Sequence, residues 1–197
     1  ALVDWYLADF PARNRQGKSN LEDLTRALGE DVAQHLVAGL RRDASTGAPR
    51  PLSALIAKHG SQETRSRAAA ELLEVERSIR SVDHLRKIER VVREGLSAGL
   101  REDEEIDAQV VRLRAENRQR SFLQSEVLPS LGLLAQEPLA AGRLLELAEA
   151  SDDGTPYEQR LQALKLLAAK VSKEQLSALL SLALDEGQAV SLRALAL

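Results

Sequence analysis

Between Gly60 and Pro129 lie sixty-eight residues, Ser61 to Leu128, without a proline. Their apolar residues Leu72, Val75, Ile79, Val82, Leu85, Ile88 and Val92 recur at steps of three and four, which places them on one face of a helix turning once every 3.6 residues. Other segments must pack against so long a helical pattern. The expected fold class is therefore all-α: a helical bundle with a long central antiparallel helical hairpin and a C-terminal stack of short leucine-rich helices. Leu and Ala, both good helix formers, dominate the composition, while Thr, Tyr and Phe are scarce.

The central stretch divides. Heptad spacing holds from Leu72 to Val82 and slips through Leu85 and Ile88, whereas a sustained coiled coil keeps its register over several heptads. Gly95 and Gly99, followed by the acidic run 101–107 (REDEEID), mark a break, because glycine weakens a helix and carboxylates favour the N-terminal end of a new one. Two helices are predicted, about Glu63 to Ser97 and Asp103 to Leu128, folded back on each other, with an unbroken rod as the rival. Arg86, Lys87, Arg90 and Arg93 cluster on the first helix, and Arg112, Arg114, Arg118 and Arg120 alternate across the second. Interleaved Asp83, Glu89 and Glu94 make the first cluster a solvated surface with helical pairs such as Arg86 with Glu89 or Arg90 with Glu94.

Before the centre, residues 1–60 form an N-terminal helical region. The opening ALVDWYLADF is a short amphipathic helix stopped by Pro11. Trp5, Tyr6 and Phe10 within it are candidate partner-binding residues, since aromatic side chains anchor interfaces; the plainer reading makes them a plug in the core of this domain or a neighbouring one. A helix capped by Asn20, the Gly29 turn and a helix from Asp31 resemble a helix-turn-helix, but Glu30 and Asp31 at the second helix's start would repel phosphates. Residues 44–51 (ASTGAPRP) form the clearest loop, followed by a helix at Leu52 to Lys58. The turn from Gly60 to Arg67 is the better nucleic-acid candidate, with Arg65 and Arg67 on its entering turn and Ser61 opening the helix. A generic capped helix start with solvated arginines explains it more cheaply.

From Pro129 charge thins and leucine thickens. Predicted helices run over Leu131–Gln136, Leu139–Ala150, Tyr157–Lys170, Leu176–Leu184 and Val190–Leu197, with Ser172 as an N-cap and Gly187 as a stop. In texture alone the last seventy residues resemble stacked helical hairpins of the HEAT and armadillo type. No period aligns across them and no family is implied. The division expected is 1–60, 61–128 and 129–197.

The chain carries 27 basic and 30 acidic residues. By segment, eight basic residues face seven acidic ones over 1–60, thirteen face fourteen over 61–126, and six face nine over the rest. No stretch therefore exerts a polybasic pull toward nucleic acid or anionic membrane. The absence of cysteine excludes disulfides, thiolate metal sites and cysteine nucleophiles, and suits the cytoplasm or another reducing compartment. No apolar run is long enough to span a membrane, and no secretory leader opens the chain. A start inside an apolar pattern and an end on an amphipathic segment suggest a part excised from a longer protein.

Chemical signatures are wanting. His35, His59 and His84 have no metal-ligand spacing, and no phosphate-binding glycine loop or nucleophile elbow occurs. The carboxylates Glu102 to Asp107 lack the order of a calcium loop. No catalytic residue, metal or cofactor is assigned. The leading expectation is a non-catalytic interaction, scaffold or regulatory module whose partner is another protein. A nucleic-acid-binding regulator using Arg65 and Arg67 is the alternative.

Overall fold

The computed structural model describes residues 23, 25–27, 29–42, 49–99, 106–150, 155–169, 173–185, 187 and 190–196. Among these, every regular element is a helix. In chain order they are α1 (Glu30–Arg42), α2 (Pro49–His59), α3 (Gln62–Arg80), α4 (Val82–Ser97), α5 (Ala108–Phe122), a π-helical turn (Leu123–Val127), α6 (Leu128–Leu133), α7 (Pro138–Glu149), α8 (Tyr157–Ala168), α9 (Lys173–Leu184) and α10 (Val190–Ala196).

Of the central apolar stripe, Leu72, Val75, Ile79, Leu85 and Val92 are buried, Ile88 is half-buried and Val82 is exposed. Leu72, Val75 and Ile79 of α3 join Leu36 and Leu40 of α1, Leu52 and Ile56 of α2, and Leu131, Leu144 and Leu164 of α6, α7 and α8 in one core, which extends to Leu182 and Leu192 of α9 and α10. Leu85 and Val92 of α4 form a separate, smaller core with Val111 and Ala115 of α5. Glu89 meets Arg112 at 3.3 Å, and farther along the Gln119 amide donates to the Ile79 carbonyl. Ile79 belongs to α3, so α5 lies against both α4 and the end of α3.

Several boundaries differ from expectation. The helix predicted over Glu63 to Ser97 breaks at Ser81, which is extended (φ −69°, ψ 150°) and closes α3 while opening α4. Its hydroxyl donates to the Ser78 carbonyl at 2.6 Å and accepts from the His84 amide at 3.2 Å. One side chain thus serves both helix ends. Gly95 lies inside α4 rather than at its end, and α5 starts at Ala108 rather than Asp103, capped by Asp107 accepting from the Gln109 amide at 2.8 Å. Helix α2 begins at Pro49, inside the predicted loop, because a first-turn proline loses no hydrogen bond and its φ suits a helix. Arg86 pairs with Asp83 at 3.4 Å rather than with Glu89, which turns to α5.

Pro129 was expected to separate two helices, yet helical backbone continues from Ala108 to Leu133. The π-turn makes this possible: the Leu128 N–H reaches back to the Leu123 carbonyl, one residue beyond the α-helical partner. In that register the Gln124 carbonyl would look to residue 129, whose proline nitrogen carries no hydrogen. Gln162 on α8 supplies the missing donor, its Nε2 lying 2.7 Å from the Gln124 oxygen.

Candidate functional site

Glu76 occupies the core-facing side of α3, four residues after Leu72 and three before Ile79, a position that periodicity reserves for an apolar side chain. It is 2% exposed. Arg80, one turn onward, donates from Nε to its Oε1 at 2.8 Å; Arg143 of α7 donates from Nε to Oε2 at 2.8 Å and from Nη2 to Oε1 at 2.9 Å. Arg143 also reaches Glu146 at 2.9 Å, and Arg80 reaches the amide oxygen of buried Gln159 on α8 at 3.1 Å. Burial alone would push the Glu76 carboxyl up, but the forked hydrogen bonds and charge of Arg143, with those of Arg80, hold it below its usual range. Hydrogen bonding to Glu76 raises Arg143 in turn. Both carboxylate oxygens are occupied, so the cluster ties α3, α7 and α8 together and is poorly suited to moving protons. A groove of about 670 Å³ borders it, with Leu73, Leu139 and Gly142 in its wall.

A second carboxylate crosses between the same helices. Glu137 stands at the N-cap of α7, is buried, and does not cap its own helix. Its Oε1 accepts from Arg65 Nε at 2.9 Å and its Oε2 from the Ser66 hydroxyl at 2.6 Å. Arg65 donates also to the Gly60 carbonyl at 2.7 Å. Of the two arginines read as nucleic-acid candidates, Arg65 is therefore engaged inside the fold, and Arg67 is exposed. Trp5, Tyr6 and Phe10 lie outside the described residues.

Glu30 of α1 sits over the start of α3. It accepts from the Ser61 amide at 2.5 Å, from the Ser61 hydroxyl at 2.8 Å and from the Thr64 hydroxyl, while Ser61 caps α3 through the Thr64 amide at 3.2 Å. The Thr64 bond, followed by those of Ser61, lowers the Glu30 carboxyl from 4.5 to about 2. A carboxylate beside a helix N-terminus also complements the helix dipole. Glu30→Gln should cost about 1–2 kcal/mol at pH 7. Because the folded value lies below the unfolded one, this contribution is complete above pH 4.5 and fades as pH falls toward 2. Melting curves at pH 7, 4 and 3 check it: the gap between wild type and variant narrows with acid, and a constant gap would refute the charge-based account.

The histidines stand on three different helices. His35 Nδ1 lies 2.7 Å from the Asp31 carbonyl, His59 Nε2 is buried with no partner among the described residues, and His84 is half-buried. No group of three or more potential metal-ligating side chains converges among the described residues. Nor is any described helix long and apolar enough to cross a membrane. Sequence reasoning missed Glu76, Glu137 and Arg143, although Glu76 had left a trace as a carboxylate in register with an apolar stripe. Compared with known proteins, the chain matches no family model, no curated sequence and no solved structure.

Proposed function

We propose that this chain is a non-catalytic protein–protein interaction or scaffold module. The observation carrying the reading is the set of large apolar side chains left on outward helix faces. Val82 and Val91 of α4, Leu113 of α5, Leu139 of α7, and Leu176, Leu180 and Leu184 of α9 are all about half exposed or more, Leu184 reaching 73%. The three α9 leucines, spaced by four, form a stripe of the kind that docks against another helix. The buried ionic clusters support the same reading, since their carboxylates are spent on holding helices together.

In this reading a helical bundle with a long central hairpin and a C-terminal stack of HEAT-like texture presents its faces to another protein in a reducing compartment. The regions 1–60, 61–128 and 129–197 are its working divisions. Immobilised chain should retain a defined protein from a cell extract, and calorimetry with that purified protein should give saturable binding. Failure to bind any protein, together with turnover of a small molecule, would overturn the proposal.

A further inference from the structure

A groove of about 550 Å³ is walled by residues of α1, α3, α4 and α5. Its floor is apolar, built from Ile79 of α3, Ile88 and Val91 of α4 and Phe122 of α5. Val91 is 56% exposed, a β-branched side chain facing water where the helix has polar alternatives in plenty. The rim is cationic: Arg41 of α1, Lys87 of α4 and Arg118 of α5 line it, and among the described residues no acidic side chain lines the groove. Arg41 pairs with Glu71, whereas Lys87 and Arg118 have no carboxylate partner among the described residues.

The chain's net charge is −3, yet among the described residues the charged side chains lining this groove are all cationic. His84, also in the wall, is held below its usual range first by burial and then by the neighbouring Lys87 ammonium, as expected where positive charge is left uncompensated. Nucleic acid would match the cations but leave the apolar floor unused. A neutral apolar occupant would fill the floor but strip water from Lys87 and Arg118 without return. An amphipathic helix with acidic flanks meets both demands.

We propose that this groove docks an acidic amphipathic helix of a partner protein, which lays apolar side chains spaced by four over Ile88, Val91 and Phe122 and pairs its carboxylates with Lys87 and Arg118. The proposal rests on the reading of the chain as an interaction module and adds the chemistry of the partner. Its test is to pan a displayed library of random peptides of about sixteen residues, four helical turns in length, on the intact chain. Enriched peptides are then titrated by fluorescence anisotropy against wild type, the Lys87→Glu/Arg118→Glu double variant and Val91→Asp. All three substituted side chains are exposed, and circular dichroism should report unchanged helix content.

The expected result is a set of acidic peptides with apolar residues at i and i+4, whose affinity falls with salt and drops about tenfold or more in either variant. Enrichment of neutral or basic peptides, or affinities unchanged in both variants, would overturn the groove. Binders that ignore these variants but are lost with Leu180→Asp on α9 would overturn the groove and leave the interaction module standing; no binder at all would count against both. Self-association abolished by Val91→Asp would make a second copy the occupant. A shift in the emission of Trp5, the single tryptophan, in the peptide-free double variant would make the chain's own N-terminal segment the occupant. Either result would overturn the partner assigned here.

Discussion

Glu76→Gln is expected to lower the unfolding free energy by about 3 kcal/mol at pH 7, the low end of the range for breaking a buried ion pair. The substitution keeps the shape but replaces one acceptor oxygen with an amide donor facing an arginine N–H, so the loss reports the charge together with the hydrogen bonding at that oxygen. Arg80 and Arg143 would be left partly buried, with 28% and 30% of their side chains exposed. Gln159 and Glu146 remain as secondary partners, which is why the upper end of the range is not expected. For a chain of this length the change corresponds to a fall in melting temperature of roughly 6–12 °C.

The acid limb provides an independent check. Glu76 has a folded pKa below its unfolded value of 4.5, so its contribution is present above that pH and is lost as pH falls through the folded value. The difference between wild type and variant should therefore shrink below pH 4.5. Glu76→Leu/Arg143→Met removes one charge of each sign and fills the space with apolar atoms, so it should recover much of the loss. A deficit under about 1 kcal/mol for Glu76→Gln at pH 7 would place Glu76 among weak surface pairs and end its role as a tie between helices.

How much of this was legible depends on whether the signal is local. The α3 stripe, the Ser61 cap and the α7, α8 and α9 helices follow from periodicity and capping, both of which act within a few residues. The break at Ser81 left only the slipped register: Val82, counted as part of the stripe, is 63% exposed because a new helix starts there with its own phase. Without glycine or proline to mark it, a serine able to close one helix and open the next reads as helix interior. Pro129 misled in the opposite sense, since the π-turn and the distant Gln162 amide together remove the need for a proline N–H.

The ionic ties were beyond reach for a different reason. Arg143 meets Glu76 across 67 residues and Arg65 meets Glu137 across 72, and nothing within a single helix announces such partners. Arg65 looked like a phosphate contact because a cation near a helix start is common to both roles. The same limit hid the basic rim of the α3–α4–α5 groove: Lys87 and Arg118 lie 31 positions apart in the sequence and line one groove only in the folded chain.

Gly132→Ala tests a close approach between α6 and α8. A Cβ added to Gly132 on α6 would lie 2.6 Å from Leu166 Cδ2 and 3.1 Å from Leu166 Cβ on α8. The methyl end of a leucine can rotate away, but its Cβ is fixed to the backbone, so the helices themselves must separate. Overpacking of this kind costs about 1–3 kcal/mol, against which alanine returns up to about 1 kcal/mol in helix propensity. A net loss of about 1–2 kcal/mol is expected in denaturant unfolding, with the slope unchanged. Because the Gln162–Gln124 bond closes the π-turn one helical turn from Leu166, the separation should also loosen that turn, read as faster amide exchange at Leu128. Combining Gly132→Ala with Leu166→Ala removes the Cδ2 and Cγ collisions and keeps the 3.1 Å approach of the Cβ, so the double variant should be more stable than the sum of the single losses predicts while retaining part of the strain. Strict additivity, or stabilisation by Gly132→Ala alone, would show that α6 and α8 do not meet at this distance.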